Sequence, residues 1–328
     1  MDIMLKKRLM GGFKRFKSGI ILRLFLVLFL IISLLLLSSC SGRSSTKTPT
    51  TTNYRTGTEG IYMRFLPNAP PSRVYEGNGI QFMIEIQNRG AYPQDGGSFE
   101  GYLVFSGPTD AAINVGSKTQ NIPSDLMGRS YVFPDGGITT VSFEDNDVRV
   151  PGDAEKYTAP VVVTACYKYQ TLASPTVCID PDPYTIVNTV KACRVQENVP
   201  ISGGQGGPVV VSRIEQHMSE NEAIFRIWFR NAGYGQVVKK TSLQKCVSGD
   251  LELEDVDRIN VYVSTPSLGP GDCTPSGEVQ LVNGQGLMTC RFSMTGIGGS
   301  AFTEQMRILI DYAYSQSIRT QVDIINVD

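Results

Sequence analysis

The residues of this chain that could carry chemistry are one histidine, seven cysteines and several short acidic clusters. His217 directly follows a predicted strand, and no G-x-S-x-G motif supplies a serine nucleophile for it. A hydrolytic triad needs a nucleophile, a base and a group that orients the base. The glycine-rich stretch 199–208 lacks the lysine of a phosphate-binding loop. We therefore expect a protein that is not an enzyme and holds no cofactor, with a surface hydrolase as the least favoured alternative.

The first 40 residues predict export. Basic residues precede an apolar run over 24–37, and a basic head before an apolar run and small residues is typical of a secretory signal. The run ends in Leu37-Ser38-Ser39-Cys40, which resembles the lipobox of exported lipoproteins and would make Cys40 the lipid-bearing first residue. The alternatives are an uncleaved anchor, which reaches the roughly 20 residues of a membrane span only by including Arg23, and simple secretion.

Charge and composition indicate where the remainder works. Residues 1–39 carry a net charge of +6 and residues 40–328 a net charge of −7, which does not suit a nucleic-acid partner. Residues 41–59 are rich in serine and threonine, as in a flexible stalk. We predict an extracytoplasmic, membrane-anchored protein of the cell envelope. Its expected partners are the membrane, through the N-terminal segment, and other surface proteins or glycans.

The other six cysteines form an even set: Cys166, Cys178, Cys193, Cys246, Cys273 and Cys290. An even set in an exported chain is typical of disulfides, and no C-x-x-C spacing supports a zinc ribbon. We therefore predict three disulfides.

The rest of the chain predicts β structure. Short runs of β-branched and aromatic residues are separated by glycine, asparagine and proline turns, without a helical period. The runs are 61–65, 80–87, 99–105, 130–133, 138–143, 159–170, 176–180, 209–214, 223–230, 258–263, 279–282, 287–294, 306–314 and 319–326. This pattern predicts an all-β fold of two tandem antiparallel β-sandwiches, 60–190 and 208–328, joined by a glycine-rich linker, 191–207.

The two predicted sandwiches repeat one another in sequence. Residues 84–90, IEIQNRG, align with residues 227–233, IWFRNAG, and each is a strand that ends in N-x-G. Asparagine suits the strand end, and we expect glycine to take a left-handed turn. Residues 165–169, ACYKY, align with residues 310–314, IDYAY, so that each half closes with a predicted Tyr-x-Tyr hairpin.

The strands that end in N-x-G resemble those of CARDB-type and related immunoglobulin-like modules of prokaryotic cell-surface proteins. The resemblance covers about a third of each half, and the cysteines and the long segment 106–158 depart from the simple module. It implies a use in adhesion or as a spacer on the cell surface.

The aligned hairpins predict one disulfide pairing. Cys166 and Cys178 stand where the second half has Asp311 and Asp323, so the two cysteines should face each other across adjacent strands. The remaining four allow three pairings. Of these we favour Cys193–Cys246 together with Cys273–Cys290, which lie close to one hairpin.

Two sets of residues are candidate binding sites. Tyr167 and Tyr169 share a strand face, as do Tyr312 and Tyr314, and aligned rings stack on sugars when exposed, although such rings more often fill a core. Asp180 and Asp182 are candidate calcium ligands near the end of the first half. Solvated turn residues are the favoured alternative for this pair.

These observations together favour a membrane-tethered structural or adhesive surface protein. The alternative from another class is an extracytoplasmic carbohydrate-binding module. An exposed row of tyrosines would favour binding, whereas a long, open edge strand would favour assembly by strand addition.

Overall fold

The computed structural model describes residues 53–94, 96–184, 191–201 and 205–327. The chain from Asn53 onward forms one compact unit. Cys40, the predicted signal or anchor and most of the predicted stalk lie outside the described residues. No helix in the described part is long and apolar enough to cross a membrane.

The fold is all-β, as predicted, and its sheets are built from mainly antiparallel strands. The strands are β1 (Ile61–Phe65), β2 (Arg73–Tyr75), β3 (Ile80–Asn88), β4 (Gly101–Ser106), β5 (Thr119–Asn121), β6 (Ile138–Asp145), β7 (Lys156–Ala173), β8 (Thr176–Ile179), β9 (Val209–Met218), β10 (Glu222–Asn231), β11 (Gln236–Val238), β12 (Arg258–Thr265), β13 (Gly269–Pro270), β14 (Asp272–Thr274), β15 (Glu278–Gln280), β16 (Gln285–Ser293), β17 (Phe302–Gln305) and β18 (Arg307–Ile325). A 3₁₀ turn, Lys240–Ser242, leads into one short helix, α1 (Leu243–Ser248).

The longest strands, β7 and β18, lie side by side at the centre of a nine-stranded sheet. The main order of that sheet is β13-β12-β18-β7-β4-β5, with β2, β11 and β15 attached at its sides. An outer sheet, β1-β3-β6, belongs to the first half of the chain, and a second, β14-β16-β10-β9, belongs to the second half. The main hydrophobic core contains residues from all three of these sheets, and β8 and β17 form a fourth sheet of two strands.

The sequence repeat corresponds to an internal two-fold relation. In the pairing of β7 with β18, Tyr167 lies opposite Tyr314 and Tyr169 opposite Tyr312. Since Tyr167 aligns with Tyr312 and Tyr169 with Tyr314, each strand occupies the position of the other after a half-turn. The predicted closing hairpins are therefore wrong, because β18 is one continuous strand that pairs with β7 and not with its own end.

The two predicted domains share a sheet and are not separated by a free linker. Strands of the first half also pair with strands of the second at β8–β17 and β2–β18. The predicted linker 191–207 contacts the fold as well: Val199 N donates to Ile214 O at 2.9 Å, and Gln216 N donates to Glu197 O at 2.8 Å. The boundaries 60–190 and 208–328 thus delimit two sequence repeats within one compact unit.

The six cysteines form three disulfides, as predicted, but only one of the pairings was predicted correctly. Cys273 and Cys290 lie opposite each other on β14 and β16. The predicted bridges Cys166–Cys178 and Cys193–Cys246 are wrong, because the bridges are Cys166–Cys246 and Cys178–Cys193. Cys178 lies on β8, which pairs with β17 and does not fold back along β7. Cys166 instead meets α1, which packs on the face of the central sheet opposite the tyrosines.

We expect neither half to fold alone. A chain of residues 60–190 or 208–328 would expose the long edge of β7 or β18, which pair along 18 residues in the intact protein. The measurement is thermal unfolding of each purified half, followed by circular dichroism. Cooperative unfolding of either half as a monomer would contradict this expectation.

The disulfides should differ in their contribution to stability. Cys166–Cys246 closes a loop of 80 residues, and Cys273–Cys290 a loop of 17. The chain-entropy model assigns these loops about 4.5 and about 3 kcal/mol. The double variant Cys166→Ala/Cys246→Ala should therefore lose more free energy of unfolding than Cys273→Ala/Cys290→Ala in urea titrations. The reverse order would show that packing, and not loop closure, dominates.

Candidate functional site

The four aligned tyrosines lie in the protein core. Tyr167, Tyr169, Tyr312 and Tyr314 are at most 1 % exposed. Neighbouring rings have centroids about 6 Å apart, in tilted or edge-to-face arrangements. The prediction that these rings bind a ligand required exposure and is therefore wrong. They form the packed centre of the shared sheet, which is the alternative considered for them.

Each buried phenol has a hydrogen-bond partner, as a polar group away from water must. Tyr169 Oη donates to Gly206 O at 2.8 Å, and Tyr167 Oη approaches Gln316 Oε1 at 3.4 Å. Tyr312 Oη bonds with Thr171 Oγ1 at 2.8 Å and accepts the Val209 N–H at 3.1 Å.

Tyr314 connects the cluster to the second N-x-G turn. Its hydroxyl donates to Asn231 Oδ1 at 3.1 Å and accepts the Gly235 N–H at 2.8 Å. Asn231 Oδ1 also accepts the Gly233 N–H at 3.3 Å, and its Nδ2 donates to Gly235 O at 2.9 Å. In the first turn, Asn88 makes the equivalent bonds to Gly90 N and Tyr92 O. The repeated asparagine therefore organises both turns.

The repeated glycine serves a different purpose from the one predicted. Neither Gly90 nor Gly233 is among the residues with positive φ. A Cβ at Gly90 would collide with the Tyr169 hydroxyl, and a Cβ at Gly233 with the Tyr314 hydroxyl. The N-x-G motif and the Tyr-x-Tyr motif thus require each other, because the glycine makes room for the buried phenol.

Burial raises the pKa of these phenols. Loss of water around the charged form raises the pKa of Tyr314 to about 12, although hydrogen bonds from Gly235 N and to Asn231 act in the opposite direction. Desolvation likewise raises the pKa of Tyr167, Tyr169 and Tyr312 above the ordinary tyrosine value. All four phenols are therefore neutral at physiological pH.

Asp180 and Asp182 lie together at the end of β8, but a lysine already pairs with the buried one. Asp180 is buried, its Oδ2 is 2.7 Å from Lys191 Nζ, and its Oδ1 accepts the Asp182 N–H at 3.1 Å. No group of three or more metal-ligating side chains occurs in the described residues. Calcium binding at this pair stays a prediction, and the structure gives Asp180 the role of an ion-pair partner in a turn.

His217 lies within β9, and not after the strand as predicted, and it lines a cleft beside this strand. That cleft has a volume of about 510 Å³ and is also lined by Glu197, Glu215, Ile224 and Arg226. Ile224 is the cross-strand neighbour of His217. Within the described ranges, no hydrogen bond or ion pair orients the imidazole, so these residues do not assemble a triad.

The feature of the surface that stands out is an exposed apolar segment before β6. Tyr131, Val132 and Phe133 are 84 %, 65 % and 48 % exposed, and Ile138, the first residue of β6, is 61 % exposed. We call Tyr131, Val132, Phe133 and Ile138 the apolar segment. Large apolar side chains clustered at the surface mark contact sites.

Hydrogen bonds to the Ser130 side chain and between backbone groups hold this segment in place. Ser130 Oγ accepts the N–H groups of Val132 and Phe133 at 3.2 and 3.1 Å, and the Phe133 carbonyl accepts the N–H of Gly136 at 3.1 Å. The prediction of a strand at 130–133 is wrong because the serine side chain closes a local turn there. Gln87 Nε2 donates to Asp135 O at 3.1 Å, which joins the loop to the outer sheet.

β6 itself is an edge strand of the outer sheet. It pairs with β3 on one side, and no strand of the described residues pairs with its other side. Phe82 lies opposite Phe143 in this half, and the equivalent Phe225 lies opposite Cys290 in the other. β6 therefore corresponds to β16. On β16, however, the outer edge is covered by β14, which is cross-linked to it by Cys273–Cys290.

The sequence offered one signal for this surface that periodicity did not reveal. Three consecutive apolar residues, Tyr131–Phe133, stand between a serine and a Pro-Asp-Gly-Gly turn. A half-buried strand would alternate apolar with polar residues. The absence of alternation in so short a run is the feature that separates this loop from a strand.

We expect the buried phenols to make the protein sensitive to alkali. Above a pH of about 10 the unfolded chain loses phenol protons that the folded chain keeps, so the free energy of unfolding falls as pH rises towards the folded pKa, by up to about 1.4 kcal/mol per pH unit for each tyrosine. Tyr312→Phe should therefore flatten this slope, while costing about 1–3 kcal/mol at neutral pH because Thr171 and Val209 lose a partner.

The measurement is urea denaturation between pH 8 and pH 12, with Tyr131→Phe as the control because Tyr131 is exposed. Equal slopes for the wild type and Tyr312→Phe would contradict the assigned pKa direction.

No protein-family model and no curated protein sequence matches this chain. Comparison of folds found several solved structures, among them two bacterial proteins. The C-terminal domain of the Streptococcus agalactiae AgI/II polypeptide BspA has 11 % identity and a TM-score of 0.18, with 80 % of this chain and 97 % of that chain covered. The CupB6 tip adhesin of Pseudomonas aeruginosa has 10 % identity and a TM-score of 0.16, with 83 % and 96 % covered. TM-scores this low carry no argument about function.

Proposed function

We propose that this protein acts outside the cell membrane as a non-enzymatic structural or adhesive protein, and that its contacts are made through the apolar segment. The exposure of Tyr131, Val132, Phe133 and Ile138 is the observation that carries the proposal. Aromatic side chains are enriched at the energetic centres of protein interfaces, since they bury a large area with few rotatable bonds.

The disulfides support the extracytoplasmic location. Six cysteines are committed to three bridges, which persist in oxidising compartments and are rare in the cytosol. The membrane tether is proposed from the N-terminal sequence, with lipidation at Cys40 as the favoured form.

One carboxyl group with a strongly lowered pKa supports a structural role. Asp255 is held well below the usual carboxyl range, with a pKa of about 2, by hydrogen bonds first from Lys245 and then from Ser242. Those bonds, at 2.8 and 2.6 Å, fasten α1 and its preceding turn against the loop that carries Asp255. A perturbed pKa with such a partner is explained by fold stabilisation and requires no catalytic function.

The carbohydrate-binding alternative has lost its motivating observation, because the four tyrosines are buried. Trp228 is partly exposed on the outer face of β10, but the Arg213 guanidinium lies over its ring, 4.8 Å from the centroid. A sugar would have to displace this cation to stack on the indole. Protein contacts through the apolar segment are therefore the better supported function.

The test is binding of the purified full-length chain to isolated cell envelopes. We expect Tyr131→Ser/Val132→Ser/Phe133→Ser to weaken binding about tenfold or more, because truncation of anchoring aromatic residues typically costs this much at an interface. The turn that holds the segment is made by Ser130 and backbone groups, so the fold should remain intact.

The matched control is Leu253→Ser, which removes a single exposed apolar side chain elsewhere, at 91 % exposure. Binding that is unaffected by the triple substitution, or that falls equally with Leu253→Ser, would refute the proposed contact surface.

A further inference from the structure

We infer that β6 pairs with β6 of a second copy of this chain, antiparallel about a two-fold axis at Thr140, to form a continuous sheet across a dimer. The inference rests on the proposed function and specifies one partner for the same surface.

The open edge presents hydrogen-bonding groups in a regular row. Asn88 N donates to Gly137 O at 2.9 Å, which sets the alternation along β6: residues 139, 141 and 143 direct their backbone groups towards β3. The N–H and C=O groups of Ile138, Thr140 and Ser142 therefore point away from the sheet. In the described part of the chain, no backbone group of another element pairs with them.

In the second half of the chain, the edge equivalent to that of β6 is paired. On β16, Gln285 forms a bridge with Val282, and Thr289 and Arg291 lie opposite Thr274 and Asp272 of β14. These three residues of β16 correspond to Ile138, Ser142 and Glu144 of β6 by the shared register. An antiparallel strand is therefore the occupant that this fold already places at the equivalent position.

The sequence of β6 favours pairing with another strand. Residues 138–143, ITTVSF, have four β-branched residues in succession and contain no charge, proline or glycine. Natural edge strands usually carry charged residues or proline, because an unprotected edge pairs with other chains. The outer edge of β9, in contrast, is covered by residues 197–199 and by the Gln205 amide, which bonds with Val211 N and O.

A second copy suits this edge because the strand is complementary to itself. With the two-fold axis at Thr140, Thr140 lies opposite its own copy and Ile138 lies opposite Ser142, and each pair exchanges two backbone hydrogen bonds. Only uncharged residues are paired in this register, and Glu144 lies beyond the paired stretch. Backbone pairing alone covers little area, so the apolar segment of each copy, at the Ile138 end, supplies apolar surface beside the partner strand.

The experiment is sedimentation velocity of the full-length chain in detergent over a range of concentrations. The wild type should show a reversible dimer, and Thr140→Lys should raise its dissociation constant about tenfold or more, because an edge lysine opposes its own copy at the axis. The matched control is Leu287→Lys, at the equivalent position of β16. Because β14 already covers the outer edge of β16, the Leu287→Lys variant should still form the dimer.

A second measurement keeps the test valid if Thr140→Lys fails to fold. With dissolved oxygen as the oxidant, Thr140→Cys should form a disulfide-linked dimer without added cross-linker, because hydrogen-bonded antiparallel partners have Cα atoms about 5.5 Å apart, within the range of a disulfide. Leu287→Cys should not.

The outcomes separate this inference from the proposed function. A wild type that stays monomeric at its highest soluble concentration, or a dimer that Thr140→Lys leaves unchanged together with no cross-link through Thr140→Cys, overturns the inferred pairing. Neither result affects the binding of envelopes by the apolar segment, which is measured separately with Tyr131→Ser/Val132→Ser/Phe133→Ser.

Discussion

The buried hydroxyls of Tyr167, Tyr169, Tyr312 and Tyr314 are the constraint on which the rest of the structure depends. A phenol in a protein core is costly unless its hydroxyl is hydrogen-bonded. Thr171 and Gln316 on the central strands supply two of the partners. The others come from outside the central sheet: the linker at Gly206, the start of β9 and the turn at Asn231. Satisfying the hydroxyls therefore fixes the outer strands and the linker over β7 and β18. The glycines of the N-x-G turns follow from the same requirement for space.

The central pairing explains why the two repeats form one unit. In a free sandwich, β7 or β18 would be an edge strand with a long row of unpaired backbone groups, which favours association. Here each strand covers the other along its length, and Cys166–Cys246 joins the first repeat to a helix of the second. The relation between the halves is that of an internal dimer. This pairing covers the long edges of β7 and β18, whereas the two outer sheets differ in whether their outer edge is covered.

Sequence reasoning predicted the class of the fold and most strands because alternation and turn residues are local signals. It also predicted the bridging of all six cysteines, and the Cys273–Cys290 pair, whose members lie near one hairpin. It failed where the answer depends on distant pairing. The alignment of Tyr167 with Tyr312 is equally compatible with two similar hairpins and with one strand facing its repeat. The structure has the second arrangement, in which the rings are buried, β8 pairs with β17, and Cys166 is bonded to Cys246. The exposure of Tyr131–Phe133 was not predicted either, because missing alternation distinguishes a loop from a strand but does not specify how exposed the loop is.

The differences between the repeats support the proposed contact surface. Positions that the repeats share, such as Asn88 and Asn231, maintain the fold through equivalent hydrogen bonds. The outer edges are not equivalent: the second repeat covers β16 with β14 and fixes it by a disulfide, whereas the first leaves β6 open beside exposed aromatic residues. A repeat that only maintained the fold would have no reason to keep an uncharged, open strand, because such an edge carries a risk of aggregation. A partner that covers the edge removes that risk, so β6 and the apolar segment are best understood as one contact surface.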